Sequence, residues 1–287
     1  MNAIQRILTS IFDVFLTPFD AMGDIAALVL VSGIFGVLGL LLFKQISWQA
    51  GIKGAKDRIK GYMIAIRIYQ DDLFVVFSSV VKVVLRNFQY LGLNFGPILP
   101  ILLPGALVAG QLVARYAFAP LPVMTQEEAD RMLPGRCSML EIRMRPGQES
   151  LVSDLAVQMP PGLKALSPLA RNLRDGVAVL EFAATAPGES QIQLLVKGQQ
   201  VATKAVVAGT EPARRMQPER VSSFWTSWIR PAEPTITSDC PIAWVGFTYP
   251  DRDLGYLPGG EAGVLLTFVL ASMAFGAALL KPLNIQI

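Results

Sequence analysis

The sequence predicts an α-helical membrane protein with three transmembrane helices and a cytosolic amphipathic helical arm. An external all-β domain, an immunoglobulin-like sandwich, is inserted between spans 2 and 3. Three observations predict this. Mean hydropathy is +0.46 and only 16% of the 287 residues are charged, where soluble domains carry about a quarter. Three uncharged runs, 25–43, 91–114 and 262–280, are each long enough to cross a bilayer. The stretch 120–260 between the last two is rich in Pro and Gly and alternates in short runs. The expected organisation is an external interfacial helix over 1–22 and spans 1 and 2 within 23–119, with the arm at 44–90. The β-domain then takes 120–260, and span 3 with a short cytosolic tail takes 261–287.

Orientation follows from the basic residues beside the spans. The segment 44–90 holds eight of them (Lys44, Lys53, Lys56, Arg58, Lys60, Arg67, Lys82 and Arg86) against Asp57, Asp71 and Asp72. Lys281 closes span 3 on the same side, and the other side has Arg6 and Arg115. The arm is therefore expected in the cytosol, with the N-terminus and the β-domain outside and the C-terminus inside. The expected location is a bacterial inner membrane, multi-pass, with the β-domain periplasmic. A net charge of +3 reflects this local arm and predicts no sequence-specific nucleic-acid binding. The two cysteines, Cys137 and Cys240, both fall in the external region. They read either as a disulfide, worth about 4–5 kcal/mol in the chain-entropy picture, or as two buried thiols.

Within 1–22, Ile4, Leu8, Phe12, Phe15 and Phe19 share a helical face. That face lies either in the outer membrane interface or on the protein's own external domain. Span 1 carries Ser32 and Gly36, a small-xxx-small pair for close helix approach. Lys44 and Gln45 mark its cytosolic end, and Trp48 is the expected interfacial anchor. In the arm, Ile52, Ile59, Ile66, Leu73 and Val80 recur every seven residues, with Ala55, Tyr62, Tyr69, Val76 and Val83 between them. This is a coiled-coil seam. The arm is either one long helix or a hairpin turning near Gln70-Asp71-Asp72, with Asp71 or Asp72 as N-cap. Span 2 contains Pro97, Pro100 and Pro104. The carbonyls that these prolines free need partners, so span 2 is read as kinked beside a polar groove. Asn94 and Gln111 are its polar side chains, set either in that groove or at the interfaces. Span 3 also has a small-residue face, with Ser272 and Gly276.

In the external region, strands are expected at 139–144, 177–183, 191–197, 201–207 and 243–249, with a hairpin turn at Gly198-Gln199-Gln200. Phe224, Trp225 and Trp228 lie in a long irregular insertion over 211–239. The chain has no histidine, no Walker loop and no dinucleotide fingerprint. No catalytic residue, metal site or cofactor is predicted, and the protein is read as non-enzymatic.

The run Lys56-Asp57-Arg58-Ile59-Lys60 within the arm, together with the layout of spans 25–43, 91–114 and 262–280, resembles the three-span branch of the YidC/Oxa/Alb insertase superfamily. The resemblance covers about half the chain at the level of topology. It implies a membrane-protein biogenesis factor that works without an energy source. A polar groove lowers the cost of moving hydrophilic segments into the bilayer, and the arm receives the nascent membrane protein or ribosome. The groove residues implied are Ser32, Gln45, Asn94 and Gln111. The arm contacts implied are Lys53, Lys56, Arg58, Lys60 and Arg67. The alternative reading is a structural or accessory subunit of a larger envelope complex. Its fixed partner subunits would meet the external domain and the small-residue faces of spans 1 and 3. Membrane lipids are partners in both readings.

Overall fold

The computed structural model describes residues 3–130, 137–210, 215–223, 229–255 and 258–285. The main helices are α1 (Ala3–Asp20), α2 (Asp24–Ile46), α3 (Gln49–Ile68), α4 (Leu73–Tyr116), the short α5 (Gln126–Asp130) and α6 (Gly260–Leu280). Helices α2, α4 and α6 are long and apolar enough to cross a membrane, as the hydropathy runs predict. At most 33% of the most apolar window of each is buried within the protein. The remaining surface therefore suits an apolar solvent, and the chain reads as a membrane protein. The residues divide into two compact units, 1–28 with 107–266 and 29–106 with 267–287. The boundaries fall inside the three long helices.

In the helical unit the arm is a hairpin. Helix α3 stops at Tyr69, whose N–H bonds to Ala65 O at 2.9 Å. Asp72 then caps α4, its Oδ1 accepting from the N–H groups of Phe74 (3.0 Å) and Val75 (3.1 Å). This settles the choice between one helix and two, and between the two aspartates. Asp72→Ala is expected to cost about 1 kcal/mol, read as a lower melting temperature in detergent and faster amide exchange in the first turn of α4.

Ile52 and Ala55 are buried, and Ile59, Tyr62 and Ile66 are half-buried. Lys82 Nζ lies 5.6 Å from the Tyr62 ring centroid. The heptad does not pass through the turn, because residues 69–72 reset the helical phase. Leu73 and Val80 are exposed, and the covered side of α4 runs through Val76, Ser79 and Val83 instead.

Small residues bring α2 and α6 together. A Cβ on Gly36 would stand 2.1 Å from Ser272 O. Ser272 Oγ donates to Ser32 O at 2.9 Å, and Phe35 meets Phe268 at 5.3 Å. Below them Leu40, Phe43, Ile52 and Ile285 form a core that Tyr90, Leu93 and Ile101 join from α4. Lys44 Nζ donates to Leu283 O at 3.0 Å.

The second unit contains two antiparallel sheets. One orders β3 (Leu163–Ala165), β5 (Val177–Ala184), β1 (Ser138–Met144), β9 (Ile242–Gly246) and β8 (Glu219–Val221), with β4 (Ala170–Asn172) also paired to β5. The other orders β2 (Leu155–Gln158), β6 (Gly188–Val196) and β7 (Gln199–Ala208). Alternation selects the buried face: Leu140 and Ile142 on β1, Leu180 and Phe182 on β5, Ile192 and Leu194 on β6. The β6–β7 turn is Lys197-Gly198, with φ of 53° and 76°, and Val196 pairs with Gln199. Two successive positive φ values make the tight hairpin turn whose twist suits antiparallel strands. It falls one residue earlier than the sequence puts it, because Lys197 takes the left-handed conformation beside the glycine. Strand β9 ends at Gly246, short of residue 249.

The expected disulfide does not form. Cys137 precedes β1, whereas Cys240 lies beside the far end of that strand, where its carbonyl accepts from Arg145 Nε at 2.7 Å. The seven residues of β1 separate the two ends, about 23 Å at 3.3 Å per residue, far beyond the reach of an S–S bond. Cys240 is buried, and burial pushes its thiol pKa up.

Helix α1 packs on its own unit, one of the two alternatives read from the sequence. Leu16 is buried in this unit and Asp13 pairs with Arg115 (3.3 Å) and with Arg215. Ile7, Ile11, Val14 and Phe15 remain exposed. The exposed edge is thus led by Ile7, Ile11 and Val14, while Phe12 and Phe19 are half-buried. The side chains of Ile4 and Leu8, and residues Phe224, Trp225 and Trp228, lie outside the described residues.

Candidate functional site

Asn94 is the chemically distinctive residue of the helical unit. It sits on α4 next to Leu93, which packs on the Leu40–Phe43–Ile52–Ile285 core, and is 8% exposed. Its Nδ2 donates to Tyr90 O at 2.8 Å. That bond requires the amide nitrogen on the carbonyl side and so commits Oδ1 to the other. Among the described residues, Oδ1 is the one buried side-chain atom with no hydrogen-bond partner. An orphaned buried acceptor costs about 1–3 kcal/mol, so a donor arriving here recovers that energy. Pro97, Pro100 and Pro104 follow on the same helix, and α4 runs unbroken through them. Each proline lacks an amide, so α4 has fewer backbone donors than its length implies.

The other groove candidates have settings of their own. Ser32 is fully buried on α2 and its carbonyl takes the Ser272 hydroxyl. Gln45 is exposed near the end of α2, about 20 Å along the helix from Ser32 at 1.5 Å per residue. Gln111 is buried in the other compact unit. Ser32 and Asn94 are thus buried and Gln45 exposed in the helical unit, and Gln111 belongs to the other. Composition along the spans shows which side chains are polar, and packing decides which of them keep an unmet hydrogen bond.

The arm residues are better grouped. Lys53, Arg58, Lys60 and Arg67 are exposed on α3 and Lys56 is half-buried there. Lys53, Lys60 and Arg67 recur every seven residues and share a stripe. They lie within the segment whose Lys and Arg outnumber its acidic residues, so the hairpin presents a positive edge.

In the β-unit a cavity of about 330 Å³ is lined by Phe118, Glu141, Glu219, Trp244, Tyr249 and Glu261, among others. Two of its four carboxylates, Glu141 and Glu219, are paired. Glu141 binds Arg143 Nε at 2.6 Å, and Glu219 binds Arg230 at 3.3 Å and the Trp244 indole N–H at 3.2 Å. Arg143 also stacks 5.0 Å from the Trp244 ring centroid. Tyr249 is structural. Its hydroxyl accepts the Val207 N–H at 2.9 Å, and burial holds its pKa well above the ordinary tyrosine range. Tyr249→Phe leaves that buried amide without an acceptor and is expected to cost about 1–3 kcal/mol, measured by thermal unfolding of the purified full-length protein.

Sequence reasoning missed one polar centre. Lys204 is fully buried on β7, with Nζ bonded to Glu233, to Gln217 O (2.8 Å) and to Ala205 O (3.2 Å). It lies 5.0 Å from the Phe247 ring centroid. Alternation along β7 puts Lys204 on the face of Ala202 and Val206, so the signal was available. Nothing in the sequence marks Glu233 as its partner. Comparison with family models, curated proteins and solved structures finds no match to this chain.

Proposed function

We propose that this protein is a non-enzymatic membrane-protein biogenesis factor of the kind its layout resembles, the YidC/Oxa-type insertases. In this reading α2, α4 and α6 span a bacterial inner membrane. The α3–α4 hairpin lies in the cytosol, and the two sheets form an immunoglobulin-like sandwich in the periplasm. The observation that carries the reading is Asn94, a buried side chain with an unmet acceptor on a proline-bearing apolar helix. Such an acceptor lowers the cost of bringing a donor, such as an amide or hydroxyl of a client segment, into apolar surroundings. The exposed basic stripe of α3 supplies a landing surface for ribosomal RNA or for acidic residues flanking a nascent segment.

The alternative, an accessory subunit of a fixed complex, rests partly on free small-residue faces. The small residues of α2 and α6 that were expected to receive a partner helix are engaged with each other through Gly36, Ser32 and Ser272. That support is therefore withdrawn. The deciding experiment is photo-crosslinking in cells from probes at Lys56 and Asn94, with adducts identified by mass spectrometry. Many membrane-protein clients at both sites, with ribosomal proteins at Lys56, support the biogenesis factor. One dominant partner at both sites overturns it in favour of the accessory subunit.

A further inference from the structure

The unit that holds the sheets also holds one end of each long apolar helix, and Arg252 joins those ends. Its guanidinium pairs with Asp24, in the first turn of α2, at 2.5 Å and donates to Arg115 O, near the end of α4, at 3.2 Å. Its carbonyl accepts from the N–H of Gly260, the first residue of α6, at 3.2 Å. Asp24 and Arg115 each flank an uncharged run, 25–43 and 91–114. These groups therefore mark one level at which the apolar spans stop. Helix α1, in the same unit, is tied to that level twice. Asp13 pairs with Arg115 at 3.3 Å, and Ala21-Met22-Gly23 alone separate the helix from Asp24. With both tethers at one level, this half of α1 runs along the boundary instead of away from it.

We propose that α1 lies in the membrane–water interface, with the arc formed by Ile7, Ile11, Val14 and Phe15 against lipid. The helix has three sectors. Leu16 and Thr9 share one side and are buried. At about 100° per residue, Val14, Ile7, Ile11 and Phe15 cover an arc of about 100° on the far side, and all four are exposed. Ser10 and Thr17, also exposed, form a polar flank next to Val14. Asp13 is turned away from the apolar arc, to Arg115 and Arg215. An apolar arc bordered by a water-facing polar flank is the design of a helix that lies in a membrane surface.

Two observations select lipid over a protein partner. One is level: the helix is pinned where the apolar spans end, so a bilayer that covers the spans reaches it. The other is continuity. Apolar exposure runs on from the arc along the chain through Met22 to Ile25, in the first turn of α2. The face is not the one that periodicity alone selects, because Phe12 and Phe19 are half-buried. The proposal rests on α2 and α4 crossing a membrane and not on the insertase reading.

The test uses the full-length protein in vesicles of phosphatidylcholine and phosphatidylglycerol, with Cys137→Ser and Cys240→Ala as background. Single cysteines at Ile11→Cys and Val14→Cys on the arc, Ser10→Cys on the polar flank and Leu38→Cys within α2 each carry a bimane fluorophore. All four positions are exposed, so the label displaces no core contact. A lipid nitroxide placed high on the acyl chain is expected to quench Ile11→Cys and Val14→Cys at least about twofold more than Ser10→Cys, while iodide in the water quenches Ser10→Cys more. Leu38→Cys, quenched by a nitroxide near the chain end, reports the span itself. If Leu38→Cys is quenched by lipid but the arc is quenched no more than Ser10→Cys, the proposal is overturned and the spanning helix stands. If the arc is then shielded from iodide as well, its cover is protein. Absence of lipid quenching at all four positions overturns both.

Discussion

Lys204→Ala is expected to destabilise the β-unit by about 3–5 kcal/mol, because it leaves Glu233 charged and buried without its partner. The pair is closed to solvent: the Lys204 side chain is fully buried and Glu233 is 10% exposed. Every Nζ bond runs to an acceptor fixed by the fold, namely Glu233, Gln217 O or Ala205 O. Glu233→Ala should cost about as much for the converse reason. The double variant Lys204→Met with Glu233→Leu should lie much closer to the parent than either single change, since paired removal leaves no uncompensated charge. Thermal unfolding of the four purified proteins in one detergent measures this, and additive losses in the double variant would contradict it.

The pH dependence has a definite sign. Burial lowers the Lys204 pKa, with Glu233 opposing that shift. Between the lowered native value and the ordinary lysine value the unfolded chain binds a proton that the native state does not, so stability rises with pH across that window. The contribution is fully present above the ordinary lysine value and lost as pH falls through the native one. Lys204→Met removes this slope, so the stability difference between it and the parent should change across the window and level off on either side.

The second large effect is expected at Gly36. A Cβ there meets backbone atoms of Ser272 at 2.1–2.7 Å, and backbone cannot rotate out of the way as a side chain can. Gly36→Leu must therefore part α2 from α6, break the Ser272–Ser32 hydrogen bond and separate Phe35 from Phe268. Overpacking of this kind costs about 1–3 kcal/mol, and more where a rigid helix pair must open. Gly61→Ala is the matched control. Gly61 is an exposed helical glycine of α3 with open space where its Cβ would lie, and alanine there should stabilise the helix by about 0.5–1 kcal/mol. Opposite signs for the two substitutions are the expected result. A Ser32→Cys, Ser272→Cys pair should crosslink readily in the parent and poorly with Gly36→Leu.

Much of this architecture is legible in the sequence because its signals are long. Nineteen or more uncharged residues in a row need no tertiary context to be read as a spanning helix, and α2, α4 and α6 follow. Strands β1, β5, β6 and β7 are read for a related reason, since alternation over seven or more residues singles out one face. Strands β3, β4 and β8 have three residues each, too few for a period to show. The cysteine pairing fails because compartment and parity say nothing about which end of β1 each thiol occupies. In the helical unit, Asn94 is visible as a polar residue in an apolar run. Its unmet acceptor is a property of three-dimensional packing. The exposure of the arm's basic residues is easier to read, because exposed charge on one helix depends on local periodicity alone.

The side chains that converge on β7 also decide what this strand cannot do. As the last strand of its sheet it should offer a row of bare amide and carbonyl groups to any extended chain nearby. Instead Arg220 takes Thr203 O, Glu233 takes the Ala205 N–H and Lys204 takes Ala205 O. Tyr249 and Leu121 take the two outward groups of Val207. With those groups occupied, this border has little left to template a further strand. That protects the folded unit from edge-to-edge aggregation. It also means that a protein recognising this border must do so through side chains, because β-augmentation is closed to it along this stretch.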